Sequence, residues 1–95
     1  MTQPHTLIPA VAKLLRETGE AHHQAFIETN GEDPEWPMWY AEYLQEKLAK
    51  LVRASFTRSD LIYLLVKLEK TRALDAPGSD WAYFYAKLLV RNYTV

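Results

Sequence analysis

The chain has 95 residues, of which 48% are hydrophobic and 24% are charged, with no cysteine and a formal net charge of −1. This length predicts one domain over residues 1–95, which the pattern below makes helical, and the composition excludes a disordered chain, a disulfide-stapled fold, thiolate metal sites and cysteine nucleophiles. The near-neutral charge argues against nucleic acid as a partner, and the lack of a long apolar run or signal peptide argues against a membrane, so we expect a cytoplasmic protein.

The first predicted helix covers residues 6–30, because apolar side chains recur there every three or four positions. Thr6 is the expected N-cap, Pro9 is expected in the first turn, and Gly31 is expected to stop the helix. Gly19 interrupts this segment. It indicates a bend, a close helix crossing or a tolerated weak point.

The second predicted helix covers residues 34–53. Asp33 followed by Pro34 is a strong start signal, since aspartate accepts backbone N–H groups and proline suits the first helical position. Pro37 fits only in a first turn, so a start nearer Glu35 is an alternative.

The third predicted helix covers residues 58–72. Thr57 and Asp60 have the spacing of a capping box at its start. Apolar side chains cover more than one face of this segment, which predicts a central position in the fold or contact with another subunit.

The fourth predicted helix covers residues 80–92, after a break at residues 76–79, and either Ser79 or Asp80 is expected to cap it. Aromatic residues alternate at its start as they do in strands, but its length and its alanines favour a helix. Four helices joined by short connections predict an all-α fold, a compact four-helix bundle.

Self-association is expected from the fourth helix, because one bundle-facing stripe cannot cover all of its apolar side chains. The predicted homodimer interface contains Trp81, Tyr83, Tyr85 and Val90. Charge is also uneven along the chain: residues 1–46 have two basic and eight acidic residues, and residues 47–95 have nine basic and four acidic ones. These halves are expected to attract each other within one chain, or between chains.

The most unusual residues lie between the first two helices, at residues 22–26 (HHQAF) and 31–44 (GEDPEWPMWYAEYL). This stretch resembles a signature, His-His-x-Ala-Phe followed by Gly-x-Asp-Pro-Glu-Trp-Pro-x-Trp-Tyr-Ala-x-Tyr-Leu, of small bacterial all-α proteins of unassigned function. The resemblance implies that these positions act together. It implies no reaction, substrate or cofactor.

Three interpretations of this stretch remain open. The first is an aromatic groove for a small molecule or a protein, with His22, His23 and Asp33 setting orientation beside Trp36, Trp39, Tyr40 and Tyr43. The second is a small enzyme or metal site around the two histidines and Asp33; Glu20 and His23 have the Glu-x-x-His spacing of di-metal bundles, but a second copy is missing. The third is purely structural: the aromatic stripe is core, the Asp33-Pro34 turn caps the second helix, and His22 or His23 is hydrogen-bonded across to the next helix.

Adjacent histidines on a helix point about 100° apart, so at most one of them faces any one site. No nucleophile elbow and no glycine-rich phosphate loop accompanies them. We therefore predict an interaction or ligand-binding module in a bacterial cytoplasm, with no catalytic residue, no metal and no cofactor assigned.

Overall fold

The structure is a computed structural model that describes residues 4–78 and 80–93. These residues form four α-helices, α1 (Pro4–Ala25), α2 (Trp36–Val52), α3 (Arg58–Asp75) and α4 (Trp81–Tyr93), together with a short 3-10 helix at Ile27–Thr29. The all-α class and the four-helix bundle are confirmed. Within the described ranges, no helix combines the length and the apolar character needed to cross a membrane.

The helices pack in an order that differs from their order along the chain. Helix α1 lies between α2 and α4, α3 packs mainly on the other side of α2, and α3 makes a smaller contact with α4. Leucine side chains from all four helices fill the centre, and each contributes about 1.5–3 kcal/mol by burial. Those buried completely are Leu15, Leu44, Leu48, Leu61, Leu65 and Leu89.

Helix α1 begins and ends earlier than the sequence indicates. It begins at Pro4, so Thr6 is not its N-cap and Pro9 lies inside the helix rather than in its first turn. It ends at Ala25 instead of residue 30, because the backbone turns through the 3-10 helix. Asn30 and Gly31 complete this turn with φ angles of 58° and 85°. The left-handed residues at the end of the turn stop helical propagation.

Helix α2 begins at Trp36, which places Pro37 in the first turn, where its missing N–H group costs nothing. The alternative start near Glu35 is therefore the right one. Asp33 still acts just before the helix, since its Oδ1 accepts a hydrogen bond from the Glu35 backbone N–H at 3.0 Å.

Helix α3 begins with the predicted capping box. The Thr57 hydroxyl accepts from the Asp60 N–H at 3.0 Å, and an Asp60 carboxylate oxygen accepts from the Thr57 N–H at 3.1 Å. The helix continues to Asp75, three residues beyond the predicted end. Of the two alternatives predicted for it, a central position or contact with another subunit, α3 does not take the first: it packs mainly against α2 and leaves Tyr63 and Leu74 exposed by 70% and 82%.

Helix α4 forms where the sequence pattern also fits a strand. Asp80 caps it by accepting a hydrogen bond from the Ala82 N–H at 3.1 Å, and the same carboxylate receives Arg16 of α1 at 2.6 Å. Ser79, the other expected cap, lies outside the described residues. Tyr85 and Val90 are 2% and 1% exposed inside the chain's own core, so neither offers surface to a second subunit.

Candidate functional site

A buried pair joins the last turn of α1 to the loop before α2. The Nε2 atom of His22 lies 3.0 Å from Oδ2 of Asp33, and the two side chains are only 8% and 9% exposed. The other carboxylate oxygen of Asp33 accepts the Glu35 N–H described above. Both oxygens of Asp33 are therefore engaged in holding the chain reversal between the two helices.

Aromatic rings surround the histidine of this pair. The ring centroids of Phe26, Trp39 and Tyr40 lie 4.7, 5.1 and 5.3 Å from that of His22. The neighbouring His23 is exposed and lies beside Gly31, where an added Cβ would come within 2.7 Å of its Nδ1 atom. The structure thus brings His22 and Asp33 together and leaves His23 apart, as the angle between adjacent helical positions requires.

The aromatic residues of α2 divide into two i,i+4 pairs instead of one groove. Trp39 stacks on Tyr43 with centroids 5.5 Å apart and planes 13° apart, and the Lys47 ammonium lies 4.5 Å from the Tyr43 ring. Trp36 contacts Tyr40, one helical turn later in α2, edge to face, and their ring centroids lie 5.4 Å apart. The two pairs meet at Trp39 and Tyr40, whose ring centroids lie 6.2 Å apart and which both contact His22. Only the second pair reaches the side of α2 that faces Trp81.

The second pair borders a cavity of about 300 Å³ that we call the aromatic cleft. Its walls come from three helices and consist of Trp36, Tyr40, Glu69, Trp81 and Tyr85. Successive rings meet at steep angles: 83° between Trp36 and Tyr40, 68° between Tyr40 and Trp81, and 84° between Trp81 and Tyr85. Face-to-face stacking covers one face of each of the two rings, whereas an edge-to-face contact covers a face of only one of them.

Glu69 supplies the charged group of the cleft. Its carboxylate receives two hydrogen bonds from the Arg72 guanidinium, at 2.6 and 3.2 Å, and one from the Tyr85 hydroxyl. The bond to Arg72 is the main cause of a lowered pKa at Glu69, so the group is a carboxylate at neutral pH. Burial and the bond to Glu69 raise the pKa of Tyr85, and burial raises the pKa of Tyr40, so both tyrosines keep their protons.

A second cavity, of about 340 Å³, shares the Tyr40 and Trp81 side chains with the aromatic cleft and extends to Arg16, Gly19 and Glu20 of α1. Of the three roles predicted for Gly19, a bend, a close helix crossing or a tolerated weak point, the structure shows the close crossing. A Cβ there would lie 3.1 Å from Trp81 Cζ2 and 3.4 Å from the Tyr40 hydroxyl. The glycine therefore lets the two aromatic side chains approach α1.

A third cavity, of about 440 Å³, lies beside the His22–Asp33 pair. Asp33, Glu35 and Glu42 line it together with Arg58 and apolar side chains. Among the described residues, no three histidine or acidic side chains lie close enough together to hold a metal ion. Glu20 and His23 are both exposed.

Sequence reasoning missed Glu69 as a site residue and assigned Trp81 and Tyr85 only to a dimer interface. Of that predicted interface, Tyr83 is exposed by 46%, Trp81 is partly buried at the cleft, and the other two are core residues. Glu69 follows Leu65 by four positions in α3, but its side chain is 36% exposed, so the sequence pattern does not distinguish it from an ordinary surface carboxylate. Its contacts with Arg72 and Tyr85 are seen only in the structure.

Comparison of the chain with models of protein families, with curated proteins and with solved structures found no match.

Proposed function

We propose that the chain is a ligand-binding module and that the aromatic cleft is its binding site. The observation that supports this is the convergence of side chains from α2, α3 and α4 on one cavity of about 300 Å³. Aromatic walls with one well-placed polar group are typical of small-molecule sites, and this volume is at the small end of their range of about 300–1,000 Å³. The expected ligand is therefore small.

Aromatic residues at helical spacing are more often core than binding site, and the partial burial of three of these rings supports a binding site here. Trp36, Tyr40 and Trp81 pack against the core but are only partly buried. Tyr85 is buried and held by Glu69, which gives the cleft a fixed base. Side chains that served only as core would close this space, since protein interiors are packed to nearly crystalline density.

Three probes test the proposal: phenol, tetramethylammonium and neopentyl alcohol, each titrated into ¹⁵N-labelled protein. We expect at least one of them to shift the indole N–H signals of Trp36 and Trp81 more than that of Trp39, which lies outside the cleft. The matched control is Ile27→Ala, which removes an exposed apolar side chain that does not line the cleft. It should leave the shifts unchanged. The proposal fails if no probe moves the two cleft indoles selectively.

Self-association is a second candidate, and a specific observation now favours α3 over α4 for it. Tyr63 and Leu74 are the most exposed large apolar side chains, and they border a shallow cavity with Lys67 and Lys70. We propose a second copy as the occupant, because the basic half of one chain complements the acidic half of another. Analytical ultracentrifugation tests this: Leu74→Ser should weaken the dimer, and a wild-type monomer at all concentrations contradicts it.

The alternative of a small enzyme or metal site around His22, His23 and Asp33 finds less support. The geometry gives Asp33 two structural bonds and separates His23 from the pair. A bacterial source and a cytoplasmic location remain predictions from the sequence and its resemblance.

A further inference from the structure

The charge of the aromatic cleft bears on the chemistry of its ligand, provided that the cleft is a binding site as proposed above. Glu69 is the one formally charged side chain among its lining residues. Arg72, which neutralises part of that charge, is not among them. A ligand in the cleft thus meets aromatic side chains and one carboxylate, whose oxygens also accept hydrogen bonds from Arg72 and Tyr85. This arrangement disfavours anions and favours cations.

The same walls discriminate among cations. A metal ion or a primary ammonium group is strongly hydrated and needs several oxygen atoms to replace the water it loses. The cleft offers one carboxylate, already bound to Arg72 and Tyr85, and the rest of its lining consists of tyrosine and tryptophan side chains. A quaternary ammonium group has no N–H to satisfy and presents methyl groups, which pack against ring faces while its charge is attracted by them.

We infer that the aromatic cleft binds a quaternary ammonium group, with Trp36, Tyr40 and Trp81 as walls around the cation and Glu69 as its counter-charge. Such a group occurs on free small molecules and on lipid headgroups. The recognised chemistry is the same in both cases.

The ion pair between Glu69 and Arg72 gives this inference an unusual consequence. Arg72 bonds to both oxygens of Glu69 and also to the Pro77 carbonyl oxygen at 3.3 Å. Arg72 therefore holds the carboxylate in place at the cleft, but its own positive charge repels a cationic ligand. Removing Arg72 should therefore strengthen the binding of a cation, whereas removing the charge of Glu69 should weaken it.

The experiment compares choline with 3,3-dimethylbutan-1-ol, its neutral isostere of the same shape, by calorimetry and by the Trp36 and Trp81 indole signals. We expect choline to bind about tenfold more tightly, the factor that a desolvated cation–π contact provides. Equal affinities would overturn the cation inference and leave the proposed binding function intact. Binding of neither probe, together with unresponsive cleft indoles for all the probes named earlier, would overturn both.

Two variants sharpen the result. Glu69→Gln should lower the affinity for choline and leave the affinity for the isostere unchanged. Arg72→Gln should raise the affinity for choline severalfold, again with no effect on the isostere. Circular dichroism establishes that each variant is folded. If Arg72→Gln is unfolded, Trp36→Leu on the partly exposed wall replaces it and should weaken choline more than the isostere. If a folded variant loses affinity for choline and for the isostere by the same factor, the result contradicts a role for charge.

An experiment with lipid vesicles distinguishes the two sources of the quaternary ammonium group. Co-sedimentation with phosphatidylcholine vesicles that free choline displaces assigns the site to a lipid headgroup. Choline binding without co-sedimentation assigns it to a free small molecule. Co-sedimentation that choline does not displace, without choline binding in solution, would contradict the cleft as the site.

Discussion

Replacing Asp33 by alanine tests whether the His22–Asp33 pair holds the reversal between α1 and α2. The change leaves the buried His22 ring nitrogen without its partner at 3.0 Å, which costs about 1–3 kcal/mol. It also removes the acceptor of the Glu35 N–H, a cap-like bond of about 1 kcal/mol. The expected loss is about 2–4 kcal/mol, a large part of the 5–15 kcal/mol by which domains are stable.

Urea unfolding followed by circular dichroism measures this loss, and thermal unfolding should show a fall in Tm of about 10 °C or more. Glu32→Ala is the matched control, because it removes an exposed acidic side chain from the same turn. It should change stability by no more than about 0.5 kcal/mol. Asp33→Asn keeps an acceptor for the Glu35 N–H and should recover part of the loss.

A double variant distinguishes the hydrogen bond from the packing around it. His22→Phe combined with Asp33→Ala keeps a ring against Phe26, Trp39 and Tyr40 and leaves no unpaired nitrogen. It should be more stable than Asp33→Ala alone. The reasoning is refuted if Asp33→Ala costs no more than Glu32→Ala, or if the double variant is the least stable of the set.

Other predictions concern local backbone geometry and pH. Gly31→Ala should destabilise by about 1–2 kcal/mol in urea unfolding, because Gly31 has a φ of 85°; an unchanged midpoint would contradict this. Thr57→Ala should cost about 1 kcal/mol by losing the capping bond to Asp60, and Thr57→Ser should retain most of it. Since Arg72 lowers the pKa of Glu69, the stability from their bond is present above the ordinary value of 4.5 and is lost below it. Glu69→Gln should therefore flatten the acid side of the stability profile, and an unchanged profile would count against the bond.

Local signals in the sequence were enough to predict the four helices and one of their caps. The period of apolar residues predicted four helices, the Thr57–Asp60 spacing predicted a capping box, and both are confirmed. The end of α1 was misplaced because the helical pattern continues through Phe26 and Ile27, while the chain is turned by left-handed backbone at Asn30. Periodicity does not report where such a turn begins.

The candidate sites were less accessible for a different reason. The His22–Asp33 pair spans eleven positions across one turn. The structural interpretation predicted a histidine hydrogen-bonded across to the next helix, with Asp33 as a cap, and did not name Asp33 as the partner of that histidine. The aromatic cleft takes Trp36 from α2, Glu69 from α3 and Trp81 from α4. Only the packing order of the helices brings these together, and nothing in the spacing of one segment determines that order.

The position of α1 between α2 and α4 also has a consequence for how the chain acquires its structure. The α1–α2 and α2–α3 contacts join helices that are neighbours in sequence, so forming them closes only short loops. The side of α1 that faces Trp81 stays uncovered until α4 packs against it. Because the packing of α4 on α1 closes the longest loop of the fold, we expect it to occur late in folding. Substitutions at the α1–α4 contact should therefore accelerate unfolding and leave the folding rate nearly unchanged.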